Sequence, residues 1–152
     1  IFKNIFKKYS NKKYFYSNDF KNISMQEIDK AFLQSHENYI KKISRLPIKT
    51  HWDVDFYIYQ NLTINSKGKI NFKNSKFLKK YAIEFNKSKS KLLKKNYSKL
   101  KCHLDFNLFY GLLIKKYTNW SQPLAGSLIL YERKPNIFDP NIVFSLNYLS
   151  TF

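Results

Sequence analysis

An excess of positive charge constrains this chain more than any other feature of its sequence. Twenty-eight Lys and Arg residues stand against ten Asp and Glu residues among 152 residues, which gives a formal net charge of +18. Self-repulsion on this scale opposes a compact free state, so such a chain is typical of proteins that bind a polyanion. Nucleic acid and an anionic membrane surface are the two kinds of polyanion that the charge predicts.

The identity of the basic residues narrows the mode of binding. Nearly all of them are Lys, and the only arginines are Arg45 and Arg133. Lys offers a point charge to phosphates, whereas Arg makes the bidentate contacts that read bases. The composition therefore favours recognition of a nucleic-acid backbone and its shape over sequence reading. An AT-rich coding sequence would also enrich Lys, but it would not explain the shortage of acids.

The remaining composition argues against several classes of protein. A hydrophobic content of 43% is enough for a core, and 152 residues predict one domain, or one small domain with an appendage. Cys102 is the only cysteine, which argues against a disulfide-stapled secreted fold. No apolar run reaches the roughly 18 residues of a transmembrane helix. Because the chain starts at Ile1 rather than Met, we expect that preceding residues were cleaved or are missing.

The N-terminal third carries one strong helix signal. Ser24 and Glu27 have the spacing of a capping box, in which each side chain bonds the other residue's backbone N–H. Apolar residues behind it recur at helical spacing, so we predict a helix over residues 25–44 that ends before Pro47. Residues 1–22 interleave Lys pairs with Phe and Tyr. They suit an arm lying on RNA and equally a segment that packs its rings on a neighbouring core, and the two arrangements are compatible.

An alternating pattern follows and predicts a strand over residues 52–60. The apolar residues of one face are Trp52, Val54, Phe56 and Ile58. Gly68 then lies between two short apolar runs, where a residue with positive φ would close a turn. We therefore predict a β-hairpin over residues 62–72.

Residues 75–100 mix apolar residues with many Lys, and we predict a second helix there, capped by Asn74 or Ser75. Glu84 is the only acid in this segment. Each Lys that neutralises a phosphate releases a counterion, so the segment suits RNA. A basic amphipathic helix on an anionic membrane is the alternative, but the interrupted apolar stripe argues against it.

Two groups of side chains contain residue types that ligate metals or act in catalysis. His51, Asp53 and Asp55 could ligate a metal, but no second cluster completes a site. The second group consists of Cys102, His103 and Asp105. It suggests a thiol nucleophile, yet nothing in the sequence resembles an oxyanion hole, and three Gly in total leave no phosphate-cradling loop. We therefore predict no catalytic residue, no metal and no cofactor.

The C-terminal stretch contains a sharp strand entry. Pro123 restricts φ and Gly126 can adopt a conformation closed to other residues, immediately before the apolar run 128–131. A charged turn follows, and residues 139–141 are predicted to form a second turn. The apolar run 142–146 is predicted to start another strand.

Several residues of this stretch follow a recognisable order. An aliphatic residue, two basic residues and an aromatic are present as Ile114, Lys115, Lys116 and Tyr117. Residues 125–127 then give Ala-Gly-Ser before a strand, and Arg133 and Phe138 follow as a basic loop residue and an aromatic. Over residues 112–152 this order resembles the bacterial-type large-subunit ribosomal protein twenty-seven. The resemblance implies a small β-barrel-like unit that binds ribosomal RNA beside the peptidyl-transferase centre.

These observations together predict an α+β fold in two parts. Residues 1–110 would form a basic helical N-terminal extension with a β-hairpin, in the order helix, hairpin, helix. Residues 111–152 would form a small C-terminal β-barrel-like unit. The predicted function is that of a structural constituent of an organellar, foremost mitochondrial, large ribosomal subunit, with no enzymatic activity and no small-molecule substrate. The expected partners are ribosomal RNA and neighbouring ribosomal proteins. The predicted rRNA-binding residues are Lys79, Lys80, Lys94, Lys95, Lys115, Lys116, Arg133 and Lys134.

Two alternatives remain open from the sequence. The chain could be a lineage-specific mitoribosomal protein of unrelated fold, in which the Ala-Gly-Ser motif is accidental. It could instead be an accessory structural subunit of an organellar membrane complex, held by other proteins and by anionic lipid. In the ribosomal interpretation, the N-terminal extension is not expected to reach the transfer RNA.

Overall fold

The computed structural model describes residues 14–47, 52–65, 67–84, 98–117, 119–121, 123 and 128–152. Its helices and strands, in chain order, are α1 (Met25–Ile43), β1 (Asp53–Gln60), β2 (Lys76–Ile83), β3 (Lys99–Asp105), α2 (Phe106–Leu113), β4 (Leu130–Lys134) and α3 (Pro140–Leu146). The predicted α+β class is confirmed. Within the described ranges, none of the helices has the length and hydrophobicity needed to span a bilayer.

The four strands form one mixed, open sheet in the order β2-β1-β3-β4. Strand β1 pairs antiparallel with β2 and parallel with β3, and β4 adds antiparallel to the other side of β3. Strand β1 is therefore central, which agrees with its almost continuous burial. Strands β2 and β4 form the two edges of the sheet.

One face of the sheet carries the hydrophobic core, and we call it the core face. The alternation predicted for β1 is confirmed, because Val54, Phe56 and Ile58 all point into this core and are fully buried. Phe32 of α1 packs with its ring centroid 6.3 Å from that of Phe56, and Phe109 of α2 lies 5.5 Å from the same ring. Both helices therefore cover the core face, and aromatic contacts contribute much of the packing.

Helix α1 starts where its capping box predicts. Ser24 N–H donates to Glu27 Oε2 at 2.8 Å, and Glu27 N–H donates to Ser24 Oγ at 3.3 Å. The helix ends at Ile43, one residue before the predicted end. Along its length, the side-chain amides of Gln34 and Asn38 donate to the backbone carbonyls of the last residues of the chain. The C-terminal segment is thus fastened along α1.

The segment before α1 packs on the core rather than standing away from it. Tyr16 is buried, and the Phe20 ring meets the Tyr110 ring of α2 edge-on at 4.9 Å between centroids. For residues 14–22 the packing interpretation is therefore confirmed. Residues 1–13, the other part of the expected RNA arm, lie outside the described residues.

The prediction of a second helix over residues 75–100 is wrong for those of its residues that the structure describes. Residues 76–83 form strand β2 and residues 99–105 form β3, while residues 85–97 lie outside the description. The spacing of Phe77 and Tyr81 imitates a helical stripe. In the structure, a register shift opposite Ile58 and Tyr59 places Phe77 and Tyr81 on opposite faces of the sheet. Pairing with the central strand overrides the local pattern.

The predicted hairpin is present only in reduced form. Ile64 and Ile70 form an isolated antiparallel bridge, and Gly68 has φ +70°, as expected for the turn. The Asn65 side-chain oxygen accepts hydrogen bonds from the backbone N–H groups of Lys67 and Lys69, at 2.9 and 3.0 Å. The side chain of Asn65 therefore organises a turn between β1 and β2.

The prediction of a barrel-like C-terminal unit is also wrong. Strand β4 joins the open sheet by pairing with β3, and the predicted boundary at residues 110 and 111 falls inside α2. The run 142–146, expected to be a strand, belongs to helix α3. Asp139 accepts from Asn141 N–H at 2.9 Å and Pro140 occupies the first turn, so these residues form a helix start rather than a plain turn. The Ala-Gly-Ser motif at residues 125–127 lies outside the described residues.

Candidate nucleic-acid interface

The face of the sheet opposite the core face carries charged and aromatic side chains, and we call it the polar face. Because side chains alternate along a strand and paired residues share a face, its members follow from the register. They are Phe77, Lys80 and Ala82 of β2, Asp53, Asp55, Tyr57 and Tyr59 of β1, Lys99, Lys101, His103 and Asp105 of β3, and Leu130, Glu132 and Lys134 of β4.

Asp55 lies near the centre of the polar face and its side chain is only 4% exposed. Its Oδ2 atom is 2.9 Å from Lys80 Nζ on one side and 2.9 Å from Lys99 Nζ on the other. A carboxylate buried in this way would be costly without such partners. Asp55 therefore holds two ammonium groups, from β2 and β3, in fixed positions beside each other.

His103 is the next member of the polar face along the sheet. Its ring stacks on Tyr57, with 4.8 Å between centroids and an interplanar angle of 18°. Nδ1 lies 3.1 Å from the Tyr59 hydroxyl and Nε2 lies 2.9 Å from Glu132 Oε1. Burial lowers the pKa of His103, although Glu132 opposes the shift. The contacts fit a neutral ring that donates from Nε2 to Glu132 and accepts from Tyr59 at Nδ1.

Glu132 connects this ring to another lysine. Its Oε2 atom is 3.2 Å from Lys101 Nζ. Burial disfavours the ionised form of Glu132, but the contacts with Lys101 and His103 outweigh burial and lower its pKa. The carboxylate thus stays charged and fixes Lys101 at the β3–β4 side of the polar face.

Aromatic rings extend the polar face to the β2 edge. Phe77 is 50% exposed, and its ring centroid lies 6.2 Å from that of Tyr57 and 5.6 Å from that of Tyr59. The Lys80 ammonium lies 5.6 Å from the Tyr57 ring centroid, within cation–π range. Exposed aromatic surface beside fixed ammonium groups is the chemistry that binds bases and phosphates.

The structure places the predicted rRNA-binding residues at several separate positions. Lys80 and Lys134 lie on the polar face, and Lys134 is the register partner of Lys99. Lys79 points to the other side, where its Nζ atom is 2.7 Å from Asp29 Oδ1 of α1. Lys94 and Lys95 belong to the residues outside the description.

The remaining predicted residues lie off the polar face. Lys115 follows α2 in a left-handed conformation with φ +56°. Lys116 Nζ is 3.3 Å from Asp19 Oδ2 and 4.9 Å from the centroid of the Phe20 ring. Arg133 lies on the core-face side of β4, with its guanidinium carbon 5.8 Å from the Phe138 ring centroid. The members of the predicted set that the structure describes therefore do not form one site.

Lys99 and Lys101 are the basic residues of the polar face that sequence reasoning missed. Together with His103 they occupy every second position, which is a strand pattern that was available in the sequence. The helix predicted over residues 75–100 includes Lys99 and so separates it from Lys101 and His103.

The thiol and imidazole that lie next to each other in sequence do not face each other. Cys102 is fully buried on the core face, where burial raises its pKa, whereas His103 points to the polar face. Asp105 accepts from Asn107 N–H at 2.9 Å and so caps α2, and burial raises its pKa. Among the described residues, no group of three or more His, Cys, Asp and Glu could hold a metal ion.

Comparison of the chain with protein-family models, with curated proteins and with solved structures gives no match.

Proposed function

We propose that this chain is a structural RNA-binding protein and that the polar face is its main interface. One observation carries the proposal. Fixed lysine ammonium groups and a half-exposed aromatic ring share one face of a sheet, while α1 and α2 cover the other face. A sheet built in this way can bind phosphates and bases without rearranging its core.

The distribution of acids supports the same function. Asp19, Asp29, Asp55 and Glu132 each lie within 3.3 Å of a specific lysine ammonium group. The acids therefore hold particular lysines in place, and they are too few to neutralise a net charge of +18. The surplus supplies affinity for RNA through counterion release, with strong salt dependence.

The setting we propose is the large subunit of an organellar ribosome, foremost a mitochondrial one. Composition supports a partner that is a large polyanion, and ribosomal RNA with neighbouring ribosomal proteins satisfies this requirement. A position beside the peptidyl-transferase centre rests on the resemblance of residues 112–152 alone.

The proposed RNA binding is tested with paired variants of equal charge. Lys80→Gln with Lys134→Gln removes two ammonium groups from the polar face. Lys30→Gln with Lys41→Gln removes two exposed ones from α1, which lies across the core face. Binding to ribosomal RNA is measured between about 50 and 200 mM salt.

We expect the polar-face pair to weaken binding and to reduce the slope of log K against log salt by about 1 to 2, while the α1 pair changes both less. Equal effects of the two pairs would contradict the polar face as the interface.

Fractionation of organelle lysate tests the proposed ribosomal setting. We expect co-migration with the large subunit at low salt and loss of co-migration at high salt. Co-migration with a membrane complex would overturn the ribosomal assignment.

A further inference from the structure

We infer that the polar face binds an unpaired segment of RNA, with one unstacked base lying on the Phe77 ring and an adjacent phosphate at Lys80. This inference rests on the proposed RNA-binding function and adds the class of RNA to it. A duplex keeps its bases stacked inside the helix, so an unpaired segment offers a base to a protein ring at a lower energetic cost.

Phe77 is the most exposed ring of the polar face, and none of the described rings lies parallel to it. Tyr57 already stacks on His103 at 18°. Phe77 is inclined to Tyr57 by 46° and to Tyr59 by 68°, so neither tyrosine occupies it as a stacked ring would. Half of Phe77 remains exposed to solvent. A flat apolar ligand such as a base would cover this surface and complete the row of rings.

The position of Phe77 in the sheet leaves room for a nucleic-acid strand. Strand β2 is an edge of the sheet, so within the described residues no further strand lies beyond it. The register shift opposite Ile58 and Tyr59 is what brings Phe77 to the polar face. Without that shift, the ring would lie on the face that α1 covers.

A phosphate site lies next to this ring. Lys80 Nζ is held 2.9 Å from Asp55 Oδ2, and 42% of the Lys80 side chain is exposed. Asp55 is shared with Lys99, so one carboxylate holds an ammonium group on each side of β1. An oxygen of an incoming phosphate can accept from an ammonium group that is already positioned, which lowers the entropy lost on binding.

The experiment compares two RNA probes and three variants of the full chain. The probes are a single-stranded oligouridylate of about 12 nucleotides and a blunt-ended GC-rich duplex, without a loop, that has the same number of phosphates. Phe77→Leu removes the ring, and Phe77→Trp keeps an aromatic surface. Phe144→Leu is the matched control, because Phe144 is 58% exposed on α3 and lies off the polar face. Far-ultraviolet circular dichroism checks that each variant is folded.

We expect wild type to bind the single strand more tightly than the duplex. Phe77→Leu should weaken single-strand binding by about 5-fold to 150-fold, which is the range for loss of one stacked base, with an unchanged salt slope. Phe77→Trp should retain the binding, and Phe144→Leu should leave it unchanged. Equal loss on both probes, or wild-type binding in Phe77→Leu, would overturn the inference and leave RNA binding standing. Absence of wild-type binding to either probe would instead overturn the proposed function.

Discussion

Gly111 gives the sharpest test of the packing in this structure. It lies inside α2, where Ala is ordinarily the better helix former by about 1 kcal/mol. A Cβ atom at this position would fall 2.5 Å from Cδ2 and 2.8 Å from Cζ of Tyr117, with Cε2 closer still. Carbon atoms in contact prefer about 3.5–4.0 Å, so the Tyr117 ring would have to move by about 1 Å or more.

The Tyr117 ring is poorly placed to move. Its hydroxyl donates to Asp19 Oδ2 at 2.6 Å, and its ring meets the Phe15 ring edge-on at 5.0 Å between centroids. Its backbone N–H also bonds Gly111 C=O at 3.2 Å, which closes the turn after α2 against the glycine. Overpacking of this kind costs about 1–3 kcal/mol, and displacing a hydrogen bond to a charged group costs about 1.5–3 kcal/mol. These costs exceed the propensity gain, so Gly111→Ala should lower the free energy of unfolding by about 1–4 kcal/mol.

Urea unfolding followed by circular dichroism measures this free energy, and a double-mutant cycle isolates the clash. In a Tyr117→Ala background the obstructing ring is gone, so adding Gly111→Ala should be neutral or should stabilise by up to about 1 kcal/mol. Two results would refute the reasoning. One is a Gly111→Ala protein as stable as wild type. The other is equal destabilisation in the presence and absence of the Tyr117 ring.

Three further predictions follow from the described contacts. Asp55→Asn should lower the free energy of unfolding by about 1–3 kcal/mol in urea titrations, because two lysine ammonium groups lose their shared carboxylate, and unchanged stability would contradict this role of Asp55. Burial lowers the pKa of His103 in the folded state below its ordinary value of 6.5. The unfolded chain therefore takes up a proton at this residue more readily than the folded protein does. The stability that neutral His103 contributes is fully present above about pH 6.5 and is lost as pH falls below it. His103→Gln should therefore reduce the fall in the urea unfolding midpoint as pH decreases below about 6.5. The same fall in the variant as in wild type would contradict this. Ser24→Ala should lower thermal stability by about 0.5–2 kcal/mol through loss of the cap on Glu27 N–H, and an unchanged melting temperature would be evidence against the cap.

Helix α1 and strand β1 could be predicted because their signals are local. The Ser24–Glu27 capping box acts over three residues, and the alternation along β1 continues for the whole strand. Neither signal depends on what the element packs against. For the same reason, the turn at Gly68 was correctly located although its hairpin shrank to one bridge.

Strand β2 could not be read from local spacing, because its register is set by its partner. The shift opposite Ile58 and Tyr59 interrupts the period-two pattern that Tyr81 and Ile83 follow. A sequence with such a shift shows apolar residues four apart, as Phe77 and Tyr81 are, and this spacing also fits a helix. Helix α3 was missed for a different reason. The apolar run 142–146 is too short to distinguish a helix from a strand. Asp139 as the N-cap and Pro140 in the first turn favour the helix.

The polar face shows why the candidate site was only partly predictable and why a chain this basic can still form a sheet. Parallel pairing of β1 with β3 places Lys99 and Lys101 beside a strand that is distant in sequence, and no local pattern predicts that pairing.

In the paired sheet, β2 and β3 each bring an ammonium group to one side of β1, and the two groups would repel each other. Asp55 occupies the position between Lys80 and Lys99, so the sheet gains an attraction where it would otherwise have a repulsion. This carboxylate offsets the local repulsion, while 42% of the Lys80 side chain stays exposed. The contact that stabilises the sheet is therefore compatible with a face that binds RNA.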